Sequence, residues 1–326
     1  MNLYRIIKPG RTGNFDEALS AVTEQIRLLP QKPSFIKLFC SDAQNQAGKI
    51  REAIRQIDCK AVTFVEQPPL DGSRVCALVH SAAPDPGFVF HSFRLSENEA
   101  SGLSSYAQTR LLFDKYRSAA AGMRMATHLV RTWIYVRDID ANYGGVVRAR
   151  NDVFAEEGLS HENHYIASTG IGGGSENRSA LVSMDFLSYP CIQESDKTYL
   201  KALSHLSPTH DYGVAFERGV KLDLPGGSRY YISGTASIDS KGCVLHEGDV
   251  LAQADRLLEN IDQLLREGGS SLDKVPYFIV YLRDISDYPV IDAYMRRRFP
   301  AVPRILLEAR VCRPAWLIEM ETEVAP

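Results

Sequence analysis

The stretch PRILLEARVCRPAWLIEMETEV, from Pro303 to Val324, decides the fold. RILLEARV and WLIEMETEV both alternate, and CRPA separates them because a proline cannot donate to a strand ladder. The pattern predicts two paired β-strands joined by a turn, with Ile318 and Met320 on one face of the second strand and Glu319 on the other. Arg304 opens the first strand, so its cation and the Glu319 carboxylate could share a pocket. The alternative is a solvated face with ordinary surface ion pairs.

The composition excludes several classes of protein. The 326 residues are 44% hydrophobic and 24% charged, which is typical of a globular chain with room for two or three units. The formal net charge of −3 gives no basic surface for nucleic acid. No apolar run approaches the roughly 18 residues of a membrane span, and MNLYRIIKPGR lacks the apolar segment of a signal peptide. We therefore expect a cytoplasmic protein with neither nucleic acid nor membrane as a partner.

The residues that often hold cofactors are not spaced for that purpose. The six cysteines contain no C-x-x-C pair, which favours reduced thiols over a disulfide framework or a zinc site. The loop histidines fit no ligand spacing. GIGGGS, at 170–175, occupies the place of a hairpin turn and no helix pattern follows it, which disfavours a phosphate loop. We expect no metal and no other cofactor.

One order of elements recurs three times: an amphipathic helix, an apolar strand with an acidic turn, a second helix and a hairpin. It predicts three α+β units, at 1–85, 86–195 and 196–326, packed around a pseudo-threefold axis. The first unit lacks an early hairpin and is read as degenerate. In the third unit Asp249 can cap the first helix and Gly268 can end it.

The third unit resembles the RidA/YjgF family over nearly its whole length. The similar segments are YYISGTAS, GDVLAQADRLLENIDQLLREGGSSLDKVPYFIVYLRDISDY and PRILLEARVCRPAWLIEME. In that family an arginine opens the penultimate strand and a glutamate lies in the last, at the positions of Arg304 and Glu319. The family forms trimers with clefts between subunits. The resemblance implies tandem RidA/YjgF-like, or chorismate-mutase-like, units that form one intramolecular pseudo-trimer.

A narrower resemblance, over about residues 125–326, is to the chorismatases, which are enlarged RidA-like enzymes. It rests on four motifs: ASTGI at 167–171, SGTASI at 233–238, HEGDVLAQ at 246–253 and VCR at 311–313. It implies cleavage of the enolpyruvyl ether of chorismate, giving pyruvate and either a dihydroxycyclohexadiene carboxylate or a hydroxybenzoate. Two departures, DSKGCVL at 239–245 and Glu217 in FERG, could alter the substrate or the product.

The chorismatase resemblance assigns a role to each candidate site residue. Glu319 is the acid that protonates the methylene carbon, after which water or a ring hydroxyl captures the oxocarbenium ion. Glu321 and Glu323 share its strand face but lie farther along, so changing them should have mild effects. The remaining candidates are those that would contact the small carboxylate substrate: Arg304, Arg218, Arg150, Tyr143, Tyr212, Tyr230, Gly234 and Cys312.

Several alternatives stay open at this stage. Each tyrosine could be an ordinary core residue, Gly234 a β-bulge glycine and Cys312 a small buried thiol. The Arg304–Glu319 pair would also serve an imine or enamine deaminase of the RidA type, and a third possibility is a non-catalytic binder of small metabolites. Because the first two hairpins lack the pair, we expect one complete site, in a monomer with internal symmetry or in a homo-oligomer.

Overall fold

A computed structural model describes residues 2–10, 12–82 and 87–326. The first unit holds one sheet, and its helices and strands are β1 (Asn2–Ile7), α1 (Phe15–Arg27), β2 (Phe35–Cys40), α2 (Ala43–Ile54), β3 (Ala61–Glu66) and β4 (Val75–Ala82). The second unit holds β5 (Val89–Arg94), α3 (Glu97–Ala100), α4 (Ser105–Ala119), α5 (Met125–His128), β6 (Leu129–Val136), α6 (Ile139–Glu156), β7 (Ala167–Gly172) and β8 (Val182–Ser188).

The third unit has the largest sheet. Its elements are β9 (Lys197–Leu200), β10 (Gly219–Leu224), β11 (Gly227–Thr235), α7 (Val250–Glu267), β12 (Phe278–Leu282), α8 (Tyr288–Arg298), β13 (Arg304–Glu308) and β14 (Ile318–Val324). The three sheets are ordered β1-β4-β2-β3, β5-β8-β6-β7 and β9-β10-β11-β14-β12-β13. The last four strands of the third order repeat the other two sheets, which confirms the tandem α+β units.

The predicted closing hairpins are wrong in all three units. β13 and β14 do not pair with each other, because β12 lies between them. β12 and β13 run parallel, and parallel neighbours need a crossover, which α8 supplies. β14 then returns antiparallel on the other side of β12. The first two units repeat this arrangement around β2 and β6.

The first unit is no less complete than the second. β1 pairs with β4 as β5 pairs with β8, so each of these two sheets has the same four strands. Only the third unit adds β9 and β10. The exact unit boundaries remain a prediction.

Local signals positioned the long helix of the third unit correctly. The Asp249 side chain accepts a hydrogen bond from the backbone N–H of Ala252 at 3.0 Å, and Gly268 follows the last helical residue. The apolar stripe of α7, from Leu257 to Leu265, is buried against the sheet. Burial of such a stripe supplies most of a helix's stability in a folded protein.

The three units meet around one centre. Isolated β-bridges join every pair of units: Glu66 to Gly174, Pro69 to Leu307, and, between the second and third units, both Ile171 to Val311 and Ala167 to Glu217. A single core cluster contains apolar residues of all three units. Both faces of β14 are therefore covered, and the alternative of a solvated strand face is wrong.

Candidate active site

One cavity of about 280 Å³ lies between the second and third units. The second unit contributes Tyr143, Val147 and Arg150, which share one face of α6 because they are four and three residues apart. It also contributes β7. The third unit contributes residues 212–218, the end of β11 and the segment from Cys312 to Glu319. We call this space the active cavity.

Glu319 lies in this cavity with its carboxyl group unpaired. It pairs in register with Tyr281 of β12, on the face of the sheet that points to the centre of the molecule. The side chain is only 4% exposed, and no described residue donates a hydrogen bond to it. Burial raises the pKa of Glu319 to about 8, and the nearby Glu321 carboxylate adds to the rise. The group therefore keeps its proton at neutral pH.

Gly234 gives the Glu319 carboxyl the room it occupies. A Cβ atom at residue 234 would lie 2.8 Å from the Glu319 Cδ and 3.0 Å from Thr169 Cγ2, closer than real contacts allow. The register between β11 and β14 also shifts between Ile232 and Thr235, so Gly234 sits in an irregular part of the strand. The register shift agrees with the β-bulge interpretation, and contact of Gly234 with the substrate stays a prediction.

Arg150 and Arg218 bring two buried guanidinium groups to the same cavity. Arg150 is 1% exposed, and its Nε and Nη2 have no hydrogen-bond partner among the described residues. Arg218 is 6% exposed; its Nη2 donates to the Ser207 carbonyl at 3.0 Å, but its Nε also lacks a partner in the described ranges. Both groups lie beside the Phe216 ring, 5.7 and 5.3 Å from its centroid. Buried donors without partners are costly, which points to an anionic ligand.

Arg313 is a third cation of the cavity, and the sequence analysis did not name it. Its guanidinium lies 4.6 Å from the Tyr212 ring centroid and 4.7 Å from that of Trp316. Nη1 makes one long hydrogen bond of 3.3 Å, to the Gly242 carbonyl. The VCR motif contained the signal, because Arg313 directly follows Cys312.

Tyr143, Tyr212 and Cys312 line the cavity as expected. The Tyr143 ring lies over Gly170, where a Cβ atom would come within 2.9 Å of it. Burial raises the pKa of the Cys312 thiol to about 12, and Glu319 adds to the rise, so the thiol stays protonated. Burial also raises the pKa of both tyrosines, which keeps them as neutral hydrogen-bonding groups.

The structure does not bring Arg304 or Tyr230 to the cavity. The β13 residue that shares a row with Tyr281 and Glu319 is Leu307, and Arg304 is on the opposite face of its strand. Its Nη1 donates instead to the carbonyls of residues 299 and 302, at 2.9 and 3.1 Å. The Tyr230 hydroxyl donates to the Gly268 carbonyl at 2.8 Å and ties α7 to β11. The expected Arg304–Glu319 pair is not formed.

Glu321, two residues beyond Glu319, is in the opposite electrostatic situation. Its oxygens accept hydrogen bonds of 2.5–3.1 Å from Arg131, Thr169, Trp133 and Tyr281. The Lys37 ammonium lies 3.8 Å away. Burial by itself would raise the pKa of Glu321, but Lys37 and Arg131 hold it below its usual value. Because this ionised group joins all three units, the expectation that its substitution is mild does not fit the structure.

The GIGGGS segment and the residue types that bind metals were also considered as cofactor sites. GIGGGS lies where the units meet, and a Cβ atom at Gly172 would lie 2.8 Å from the Arg310 backbone nitrogen. Within the described ranges no cluster of three or more His, Cys, Asp or Glu could hold a metal ion. None of the helices in that same part of the chain has the length and apolar character needed to cross a membrane.

Comparison with known proteins points to one family. The Endoribonuclease L-PSP family model matches residues 216–325. The 3-aminoacrylate deaminase RutC of Acinetobacter baylyi is 35% identical over 92 residues, which are 28% of this chain and 73% of that protein. A RutC family protein of Pyrococcus abyssi is 33% identical over 99 residues, 29% of this chain and 76% of that one.

A solved structure shares the whole fold. The crystal structure of a chorismatase superposes with a TM-score of 0.72, and the alignment covers 100% of this chain and 98% of that one at 22% identity. At this identity the likeness establishes the three-unit architecture and leaves the reaction to be argued from the site. The matches to the two RutC proteins show that the chain belongs to the RutC family, within the RidA/YjgF-like superfamily.

Proposed function

We propose that this protein cleaves the enolpyruvyl ether of chorismate and releases pyruvate. One observation carries the proposal: a single cavity joins a buried, protonated carboxyl group, Glu319, to the guanidinium groups of Arg150, Arg218 and Arg313. The chorismatase of known structure has the same fold along its whole length, and its name supplies the candidate substrate.

The three arginines suit a substrate with two carboxylates. A guanidinium fork binds a carboxylate through two parallel hydrogen bonds, and Arg150 and Arg218 both have unmatched N–H groups. Aromatic side chains beside them, Phe216 and Tyr212, limit access of water and strengthen the ion pairs. Binding energy from the carboxylates can therefore orient the ether against Glu319.

Glu319 is placed to act as the acid of the first step. Its proton is transferred to the methylene carbon of the enolpyruvyl group, and the C=C electron pair forms the new C–H bond. This leaves an oxocarbenium ion and a Glu319 carboxylate. Arg131 and Arg218 lower the energy of this carboxylate, and Arg218 is also one of the three arginines proposed to hold the substrate. An acid with a pKa near the working pH is the most effective donor.

Capture of the oxocarbenium ion completes the reaction. In hydrolysis a water molecule adds to this carbon and loses a proton to the Glu319 carboxylate, which restores the acid. The resulting hemiketal breaks its bond to the ring oxygen, giving pyruvate and a dihydroxycyclohexadiene carboxylate. If a ring hydroxyl captures the ion instead, it loses its proton to the Glu319 carboxylate and forms a cyclic ketal. One ring C–O bond of this ketal then breaks, and the other ring carbon loses its hydrogen as a proton to the departing oxygen, which makes the ring aromatic. The remaining hemiketal passes its hydroxyl proton to the phenolic oxygen and separates into pyruvate and a hydroxybenzoate. Both routes use the same first step.

A second candidate function is deamination of an imine or enamine. The relative named 3-aminoacrylate deaminase RutC favours it, because that protein is 35% identical over its matched residues. In such a reaction the protonated Glu319 would donate to the enamine carbon, and one arginine would hold a single carboxylate. The presence of three guanidinium groups in the cavity favours the substrate with two carboxylates.

One assay separates the two functions. Purified full-length protein is incubated with chorismate, and pyruvate is followed with lactate dehydrogenase and NADH. In parallel, ammonia release is measured from 2-aminoacrylate generated in the assay. We expect pyruvate from chorismate and no ammonia above background. Ammonia release without chorismate turnover would establish the deaminase. If neither pyruvate nor ammonia forms, the third possibility, a non-catalytic binder of small metabolites, is supported.

A further inference from the structure

A second cavity lies on the other side of one wall of the active cavity. It has a volume of about 240 Å³, and Phe216 and Arg218 line both spaces. Lys201, Ser207 and Glu217 line only the second one. We call it the side cavity. It is smaller than the sites that usually hold drug-sized ligands, so its volume suits a ligand of a few heavy atoms.

Arg218 is one of the two residues that line both cavities. One nitrogen of its guanidinium is fixed by the Ser207 carbonyl at 3.0 Å, and its Nε has no partner within the described residues. The side chain is nearly fully buried, so an anion that moves from one cavity to the other can stay in contact with the same cation.

Ser207 supplies an unmatched hydroxyl at the side cavity. The residue is 1% exposed, and its Oγ makes no hydrogen bond to any part of the chain that the structure describes. A buried polar group left in this state is destabilising, and a bound ligand or water would satisfy it. This hydroxyl is a sign of a polar ligand that does not depend on the active cavity, because Ser207 lines only the side cavity.

The balance of charge in the side cavity favours an anion. Lys201 and Arg218 provide two cations, and the Lys201 ammonium forms no ion pair with a described residue. The one carboxyl group is Glu217, which accepts a hydrogen bond from the Tyr165 backbone N–H at 2.8 Å. Burial raises the pKa of Glu217, which weakens its competing negative charge.

We infer that the side cavity binds a small 2-oxo carboxylate, the pyruvate that the proposed reaction releases. Arg218 holds its carboxylate first in the active cavity and then at the boundary of the side cavity, while Lys201 and the Ser207 hydroxyl provide the new contacts. The inference rests on the proposed function for the identity of the ligand. Pyruvate then occupies the side cavity while the larger ring product is still in the active cavity.

Binding of pyruvate to the full-length protein tests the inference. Ligand-observed NMR or calorimetry is used first on the free protein, and then on Glu319→Gln saturated with chorismate, whose active cavity is occupied. We expect pyruvate to bind in both cases. Lys201→Ala and Ser207→Ala should each weaken pyruvate about 3- to 10-fold, with a smaller effect on the affinity for chorismate. Lys274→Ala, an exposed lysine elsewhere, is the control.

The outcomes separate this inference from the proposed function. If pyruvate binds and responds to Lys201→Ala but chorismate is not cleaved, the side cavity stands and the reaction is another one. If chorismate is cleaved but saturating chorismate displaces all pyruvate from Glu319→Gln, the inference is overturned. Absence of binding at millimolar pyruvate overturns it as well, as does equal affinity in the wild type and in folded Lys201→Ala and Ser207→Ala.

Discussion

Two clefts between units of this protein have the same origin and different contents. In the cleft of the first and second units, Arg94 donates to Asp185 at 2.9 Å, and Thr63 and Tyr135 also donate to that carboxylate. In the cleft of the second and third units, Arg150 and Arg218 have nitrogen atoms without partners in the described chain, and no described residue donates a hydrogen bond to Glu319. A cleft whose charges are matched internally holds the units together, and a cleft whose charges are unmatched can bind a ligand.

The strand registers show how the two clefts diverged. Thr63 and Thr169 occupy equivalent positions, next to Lys37 and Trp133, and each donates to an acid of the following unit: Asp185 and Glu321. Two residues before those acids the chain has Ser183 and Glu319. The first unit has Cys76 at this position. Of the three equivalent positions, only that of the third unit carries an acid, as expected for one complete site.

We expect the largest effect from a substitution in the cleft of the second and third units, whose charges are unmatched, and we expect it on kcat. Glu319→Gln retains the shape of the side chain but has no acidic proton, so kcat for pyruvate release should fall about 10²- to 10⁴-fold. Affinity for chorismate should change little, because it depends on the arginines. Steady-state assays check this against Glu308→Gln, an exposed glutamate of the same sheet. Full activity of Glu319→Gln would remove Glu319 from the mechanism.

In the cleft of the first and second units, whose charges are matched, we expect a substitution to lower the free energy of unfolding. Asp185→Asn leaves the Arg94 guanidinium partly unpaired in a buried place and should lower the free energy of unfolding by about 3–5 kcal/mol. Urea denaturation measures it. Asp58→Asn breaks an ion pair whose side chains are 62% and 84% exposed and should cost no more than about 1 kcal/mol. Equal losses in the two variants would contradict the distinction between the clefts.

Substrate affinity should depend on Arg150 and not on Arg304. Arg150→Met should weaken chorismate by about 2 kcal/mol or more, which is roughly 30-fold in Kd. Arg304→Met changes an arginine outside the cavity and should leave Kd within about threefold. Calorimetric titration of chorismate into each variant, on a Glu319→Gln background, supplies both values. A larger loss from Arg304→Met would mean that the substrate lies at another place.

The smallest effect is a shift in pH dependence. Because the raised pKa of Glu319 is about 8 and the proton is needed, kcat should be level below pH 8 and fall about tenfold per pH unit above it. Glu321→Gln removes the neighbouring negative charge, so the decline should begin at a lower pH. A rate that rises above pH 8 would assign Glu319 the role of a base.

Signals between neighbouring residues were enough to predict the ends of α7 and were insufficient to predict the order of the strands. Asp249 and Gly268 mark the ends of α7 because a cap and a stop act on residues next to them in sequence. Whether two successive strands pair directly or across a third one depends on the whole sheet. The hairpin prediction for β13 and β14 therefore failed, and the pairing of Arg304 with Glu319 failed with it.

The residues of the candidate site also divide into those that had a signal in the local sequence and those that had none. Glu319 and Gly234 were found because family motifs surround them, and Arg150 and Arg218 because arginines were sought for a substrate with carboxylates. Arg313 was missed although it ends the VCR motif, since the Tyr212 ring beside its guanidinium comes from a segment about a hundred residues earlier in the chain. The network around Glu321 unites three units and has no local signature.

A crystal structure of Glu319→Gln with chorismate tests the central claim most directly. We predict that the ligand occupies the active cavity, with its carboxylates on two of the guanidinium groups of Arg150, Arg218 and Arg313. Its methylene carbon should lie within about 3.5 Å of the substituted side chain, a near-attack distance. Chorismate bound elsewhere, or bound here with its methylene turned away from residue 319, would contradict the account.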